Sequence, residues 1–233
     1  MKKKIGIGID LGGSSIKYAL GTDQGEIIKE NERPSHATEG IETIIDEISE
    51  AITEMVDYAK SVGLIPSVVG MGTPGSVDVI TGFLKGSTPN FKHWHDVPIK
   101  SKIEKKVCLP VFIDNDANLM ALGEAKFGAG IGHQNIICLT IGTGIGGGVI
   151  LNGELFRGSN FAGAELGHTT IKHDGLKCRC GGKGYLKKVE NVALHYAMDC
   201  SKENVKIVAA KLGNKAGYMG ALGFAFDQTT PLL

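Results

Sequence analysis

The chain carries no excess of charge, with 25 Lys plus Arg set against 25 Asp plus Glu. That balance offers no support for nucleic acid or a membrane surface as its main partner. No apolar run approaches the roughly 20 residues that span a bilayer. The opening Met1-Lys2-Lys3-Lys4 followed by Ile5 to Ile9 starts as a secretory leader does. Asp10 interrupts it before any useful hydrophobic length, and no small-residue cleavage site follows. Five cysteines make an odd number, and Cys178-x-Cys180 is a spacing better suited to a metal than to a disulfide framework. A cytoplasmic compartment is therefore expected. Low-complexity segments and polar linkers are missing too, and so is the Gly-Lys-Ser/Thr ending of a P-loop. What remains is an ordinary globular composition, 42% hydrophobic and 21% charged over 233 residues, with room for one large or two small domains. Glycine is the outlier at 34 residues, and glycine-dense segments let a backbone approach a ligand or a neighbour closely.

Residues 4–9 alternate as Lys-Ile-Gly-Ile-Gly-Ile, a strand pattern that ends in Asp10-Leu11-Gly12-Gly13-Ser14-Ser15. Ile16 to Leu20 continues as a strand, and Asp23-Gln24-Gly25 turns into another over Glu26 to Lys29. Residues 38–60 predict a helix whose apolar face is Ile41, Ile44, Ile45, Ile48, Ile52, Met55, Val56 and Ala59. Val68 to Met71 predicts a buried strand closing into Gly72-Thr73-Pro74-Gly75. A short helix over Pro98 to Val107 precedes a strand, Val111 to Ile113, which leads to Asp114-Asn115-Asp116 and a helix from Ala117 to Phe127. Ile136 to Ile141 then ends in Gly142-Thr143-Gly144, and Gly146 to Leu151 returns as its partner. Two strand–glycine-turn–strand units thus occur, near residues 5–20 and 136–151, as in a duplicated fold with a boundary near residue 117.

A dinucleotide-binding turn needs Gly-x-Gly-x-x-Gly opening a helix. Here Gly6 and Gly8 lie inside a strand and a second strand follows, so that reading fails. A hairpin whose tip lacks side chains can still aim backbone N–H groups at phosphate oxygens. Asp10 at the strand end suits the water shell of Mg²⁺, which binds through few carboxylates. The plainer alternative is two tight hairpins, with Asp10 a turn former. Their matching positions favour the phosphate role.

Five motifs now stand in order: Asp10 to Lys17, Gly72 to Gly75, Asp114-Asn115-Asp116-Ala117-Asn118, Gly142 to Gly148, and Ala164-Glu165-Leu166-Gly167-His168. Together they resemble the ROK family of repressors, unassigned reading frames and sugar kinases, over residues 4 to about 184. The resemblance implies an α/β fold of two actin-like (ribonuclease H-like) domains with mixed sheets, the second one shortened, closing over ATP and a hexose. The first would cover 1–117, completed by a C-terminal helix at about 213–228, and the second 118–212. It assigns the ATP side to Asp10, Gly12, Gly13, Ser14, Ser15, Lys17, Gly142, Thr143 and Gly144, with Mg²⁺. Asp116 becomes the catalytic base, although an Asp there also suits a plain helix cap, and Asp114 only buttresses the turn. Asn115, Glu165 and His168 would hydrogen-bond the sugar, with Gly75 and Thr88 lining its pocket. Trp94 takes a structural role at the domain surface.

The resemblance also implies a structural zinc on His168 and three cysteines. Cys178 and Cys180 match, but the third position is Tyr185, and a Glu expected on the sugar is Lys187. Structural zinc calls for four ligands; His173 or Cys200 could supply a fourth, but nothing in the sequence fixes either nearby. After Lys187 the match lapses and resumes near Val205 to Val208, which resembles the family's final strand, and Leu212 to Gly217, its final helix. Residues 188–204 are too few for the family's adenosine-side strands and helices, so an exposed sheet edge is expected there unless another chain covers it. The implied activity is hexose phosphorylation at the 6-hydroxyl, glucose being favoured by residues 86–97, with a catalytically impaired sugar binder as the alternative. A homodimer is the implied assembly. A repressor role is not expected, because the first hairpin begins at residue 5 and leaves no room for a preceding DNA-reading module.

Overall fold

The computed structural model describes residues 3–86, 91, 93–141, 145–170 and 206–229. Its first strand, β1 (Ile5–Leu11), follows from the alternation. Ile7, Ile9 and Leu11 are fully buried on one face, and Gly6, Gly8 and Asp10 point to the other. β2 (Ser15–Thr22) and β3 (Ile27–Pro34) extend the sheet antiparallel on one side. On the other side β4 (Val69–Thr73) and β7 (Val111–Asn115) pair parallel, giving a mixed sheet of order β3-β2-β1-β4-β7. Between β4 and β7 lie the short hairpin β5 (Val77–Asp78) and β6 (Phe83–Leu84) and the helix α2 (Ile99–Val107). Helix α1 (Ile41–Ser61) buries Ile44, Ile45, Ile48, Ile52, Met55 and Ala59 against the isoleucine face. That is the face its periodicity predicts.

The opposite face explains the glycines. Helix α4 (Ala216–Gln228) is buried from Ala216 to Phe226, as an all-apolar helix must be. It presses its own backbone onto the sheet. A Cβ at Gly8 would stand 2.1 Å from the Tyr218 carbonyl oxygen, and one at Gly70 would stand 1.8 Å from that of Ala221. The close neighbour that the strand glycines admit is therefore a helix.

Helix α3 (Asp116–Phe127) lies beside α4 and carries a second sheet, order β10-β9-β8, made of β8 (Ile136–Ile141), β9 (Ile145–Leu151) and β10 (Glu154–Leu155). Leu119, Leu122, Ile150, Ala221 and Phe224 form the core between them. Both expected hairpins are present, β1–β2 and β8–β9. Among the described residues β8 is an edge strand, with Ile137 and Ile141 more than two-thirds exposed.

The expected final strand near Val205 to Val208 is not found over 206–208, which are exposed and outside any strand; Val205 lies outside the described residues. Just beyond, the amides of Lys211 and Leu212 donate to the buried Glu124 carboxylate at 3.0 and 2.7 Å, which ties the chain to α3 before α4 begins. Among the described residues no helix is long and apolar enough to cross a membrane.

Candidate active site

The C-terminal ends of three parallel strands converge. Asp10 on β1 is in register with Gly72 on β4, and Gly72 with Asp114 on β7. Asp116 stands beside the end of β4: a Cβ at Gly72 would lie 3.4 Å from Asp116 Cα, an ordinary packing distance. Asp10 and Asp116 therefore share one small region. Burial, then the charge of Asp116, pushes the Asp10 carboxyl up to about 7, with Lys17, its partner in register on β2, pulling the other way. Burial also raises Asp116; the Ala117 amide opposes this and the charge of Glu165 adds to it. Two carboxyls pushed upward in one place are a mark of functional sites.

Helix α4 packs directly on Asp10: a Cβ at Gly217 would come within 2.3 Å of Asp10 Oδ2, so only glycine lets the helix lie against the carboxylate. Beyond Asp10 the turn closes with the Gly12 amide donating to the Ser15 carbonyl at 2.8 Å. Ser35 holds the tip from behind: its hydroxyl donates to the Gly13 carbonyl at 3.0 Å and its amide to that of Ser14 at 3.2 Å. Gly13 and Ser14 stay exposed.

The cap on α3 is Asn115, whose Oδ1 accepts from the Asn118 amide at 3.1 Å. Asp116 is the first helical residue, which frees it from the capping alternative. Asn115 Nδ2 donates to the Gly75 carbonyl at 3.1 Å, tying two expected sugar-side residues together. Gly75 takes φ +104°, and a Cβ on it would meet the Gly86 carbonyl at 2.4 Å, so a side chain does not fit. Glu165 and His168 bracket a 3₁₀ turn, Leu166–His168, with Glu165 Oε2 at 3.9 Å from His168 Nε2 and both exposed. Thr88, Gly142, Thr143, Gly144, Cys178, Cys180, Tyr185 and Lys187 lie outside the described residues. Among the described residues no group of three or more His, Cys, Asp or Glu side chains converges on a metal.

Three residues went unremarked in the sequence or were misplaced there. Trp94 is not at a domain surface: it is fully buried, and its Nε1 donates to Thr73 Oγ1 at 2.9 Å. An indole needs a partner for its N–H when buried, and the end of β4 provides one. Arg157 pairs with Asp114 at 2.7 Å, and Glu124 holds the segment before α4. Neither has a motif; a lone Arg beside Phe156 and a lone Glu in a helix carry no spacing signal.

The family model for the ROK family matches residues 6–189. The glucokinase of Thermotoga maritima is 43% identical over 183 residues, covering 78% of this chain and 56% of its own length. The xylose repressor of Bacillus subtilis is 41% identical, covering 78% of this chain and 47% of its own. A crystal structure of a ROK family glucokinase from Streptomyces griseus in complex with glucose and AMPPNP superposes with a TM-score of 0.68 at 39% identity, over 78% of this chain and 55% of that one. The chain thus spans about half the length of the curated relatives it matches. With five ordered motifs, a matching mixed-sheet α/β fold and these likenesses, the chain belongs to the ROK family.

Proposed function

We propose that the chain is an ATP-dependent sugar kinase that phosphorylates a hexose, glucose foremost, at its 6-hydroxyl. Identity alone does not choose between the family's kinases and regulators, since it is 43% to a glucokinase and 41% to a repressor. The observation that carries the kinase reading is the pairing of Asp10 and Asp116, both with raised pKa, beside the Gly12–Ser15 turn. The site brings together two carboxylates, Asp10 buried at the end of β1 and Asp116 partly buried at the start of α3. A phosphotransferase needs one to take a proton and one on the cation side.

In this reading the sugar lies against Asn115, Gly75, Glu165 and His168, and the family resemblance adds Thr88 to its ligands. Its hydroxyl donates to the Asp116 carboxylate. As the hydroxyl oxygen bonds to the γ-phosphorus, its proton passes to Asp116, and the bond to the leaving ADP oxygen breaks with its electron pair. A carboxyl whose pKa is raised toward the working pH serves as such a base better than an ordinary one. The triphosphate lies along Gly12, Gly13, Ser14 and Ser15, with Lys17 near Asp10; the family resemblance adds Gly142, Thr143 and Gly144 to the ATP ligands. Asp10 fits Mg²⁺, because its buried charge is unfavourable until a cation compensates it. Bound there, Mg²⁺ would neutralise charge on the phosphates. The two lobes would be 1–117 with α4, and 118–212.

A second reading, a sugar binder without turnover, has its own support: position 187 is Lys where the family resemblance expects a Glu on the sugar. The test is a coupled kinase assay over a hexose panel with Mg²⁺ and ATP, run beside calorimetry. Turnover that falls by at least about 10²-fold in Asp116→Asn, with sugar affinity within about threefold, is the expected result. Sugar binding without turnover selects the second reading, and turnover unchanged in Asp116→Asn refutes the base.

A further inference from the structure

Arg157 opens the loop that runs from β10 to Glu165, and the phosphotransfer scheme above gives it no part. Its Nε donates to Asp114 Oδ2 at 2.7 Å, and the Asp114 side chain is only 2% exposed. The other oxygen, Oδ1, accepts from the Asn115 amide at 2.7 Å and from Asn118 Nδ2 at 3.3 Å. Those two asparagines form the cap of α3. Asp114 therefore holds both residues that flank the first turn, the turn on which Asp116 sits.

On its other side Arg157 begins a loop. The chain after Arg157 folds straight back onto it: the Gly163 amide donates to the Arg157 carbonyl oxygen at 2.8 Å. A Cβ on Gly163 would lie 2.6 Å from the Arg157 carbonyl carbon, so only glycine allows the return. Glu165 follows two residues later. Phe161 and Ala164 both take left-handed φ, 59° and 64°, a conformation that persists in such residues only where the surroundings impose it. Ser76 adds a second tie, its hydroxyl donating to the Phe161 carbonyl at 3.3 Å. The loop's product is the placement of Glu165 close enough for its charge to act on Asp116.

Resting on the kinase reading, we propose that Arg157 is a positioning residue, whose ion pair with Asp114 locks the Glu165 loop against the first turn of α3 and so sets where the sugar's ligands stand relative to Asp116. Arg157→Met alone leaves a buried carboxylate without its partner and risks unfolding. The informative variant is Asp114→Asn with Arg157→Met, which removes both charges and keeps an acceptor for the Asn115 amide. Its melting temperature should stay near that of the native chain.

Hydrogen exchange then reports on the lock without any sugar present. The Gly163 amide and residues 165–169 should exchange at least about tenfold faster in the double variant, with α1 unchanged. Calorimetry and kinetics report the consequence: hexose affinity and KM should weaken by about tenfold or more while the KM for ATP holds. Arg157→Lys with native Asp114 should recover part of that loss, since the charge returns without the planar fork. Unchanged exchange at Gly163 overturns the proposal, and so does faster exchange with native hexose KM. If the native chain binds no hexose, the kinase reading fails by that result alone, and the exchange rates still decide whether Arg157 is the lock.

Discussion

Asp10 offers a pH signature large enough to measure by unfolding alone. It is 8% exposed, and burial with the nearby charge of Asp116 raises its pKa from 3.8 to about 7. In the unfolded chain the group loses its proton near the ordinary value of ~3.9. Between these two values the native state binds more protons than the unfolded one, so stability falls as pH rises, and the slope vanishes above the native pKa. Each pH unit in that window is worth ~1.4 kcal/mol. From pH 5 to pH 8 the native chain should therefore lose about 3 kcal/mol through this one group. Asp10→Asn has no proton to lose. Measured as the difference between the two proteins, the variant should gain about 3 kcal/mol on the native chain between pH 5 and pH 8, and little below pH 4. Urea unfolding followed by fluorescence serves as the assay, because Trp94 is the single tryptophan and is fully buried. Adding Mg²⁺ with ATP should narrow the gap, since a cation at Asp10 favours its charged form. A difference that stays flat within about 0.5 kcal/mol across that range would refute the burial and coupling argument.

Two further outcomes test the packing that builds the site. Gly70→Ala forces a Cβ into the Ala221 carbonyl, 1.8 Å away, so α4 must shift; a loss of about 1–3 kcal/mol by thermal or urea melt is expected. Glu124→Gln replaces one of two oxygens that accept the amides of Ala129, Lys211 and Leu212. It should cost about 2 kcal/mol and speed proteolysis within 206–212, while a native cleavage rate would show that the carboxylate is not the anchor.

The strands and helices were largely legible because their signals are local. Alternation over Ile5 to Asp10 and the 3.6-residue spacing of Ile44, Ile48, Ile52 and Met55 depend only on which face is buried. The final strand near Val205 to Val208 misled for the opposite reason: a short apolar run becomes a strand only beside a partner, and none of that is written in the run itself. Trp94 was misjudged similarly, since its acceptor, Thr73, is 21 residues away and becomes adjacent only once β4 ends there.

The chain's own residue order determined the family, the α/β class, and which carboxylates and glycine turns deserve chemical weight, because motif identity and periodicity survive without coordinates. Tertiary structure alone decided that Gly8 and Gly70 admit a helix backbone, that Asn115 rather than Asp116 caps α3, and that Arg157 reaches Asp114. The two close approaches join residues far apart in the chain. They are set by how near α4 and the β10 loop can come to the sheet, a matter of packed volume that no local pattern encodes. The cap was decided by where the strand before it ends, at Asn115.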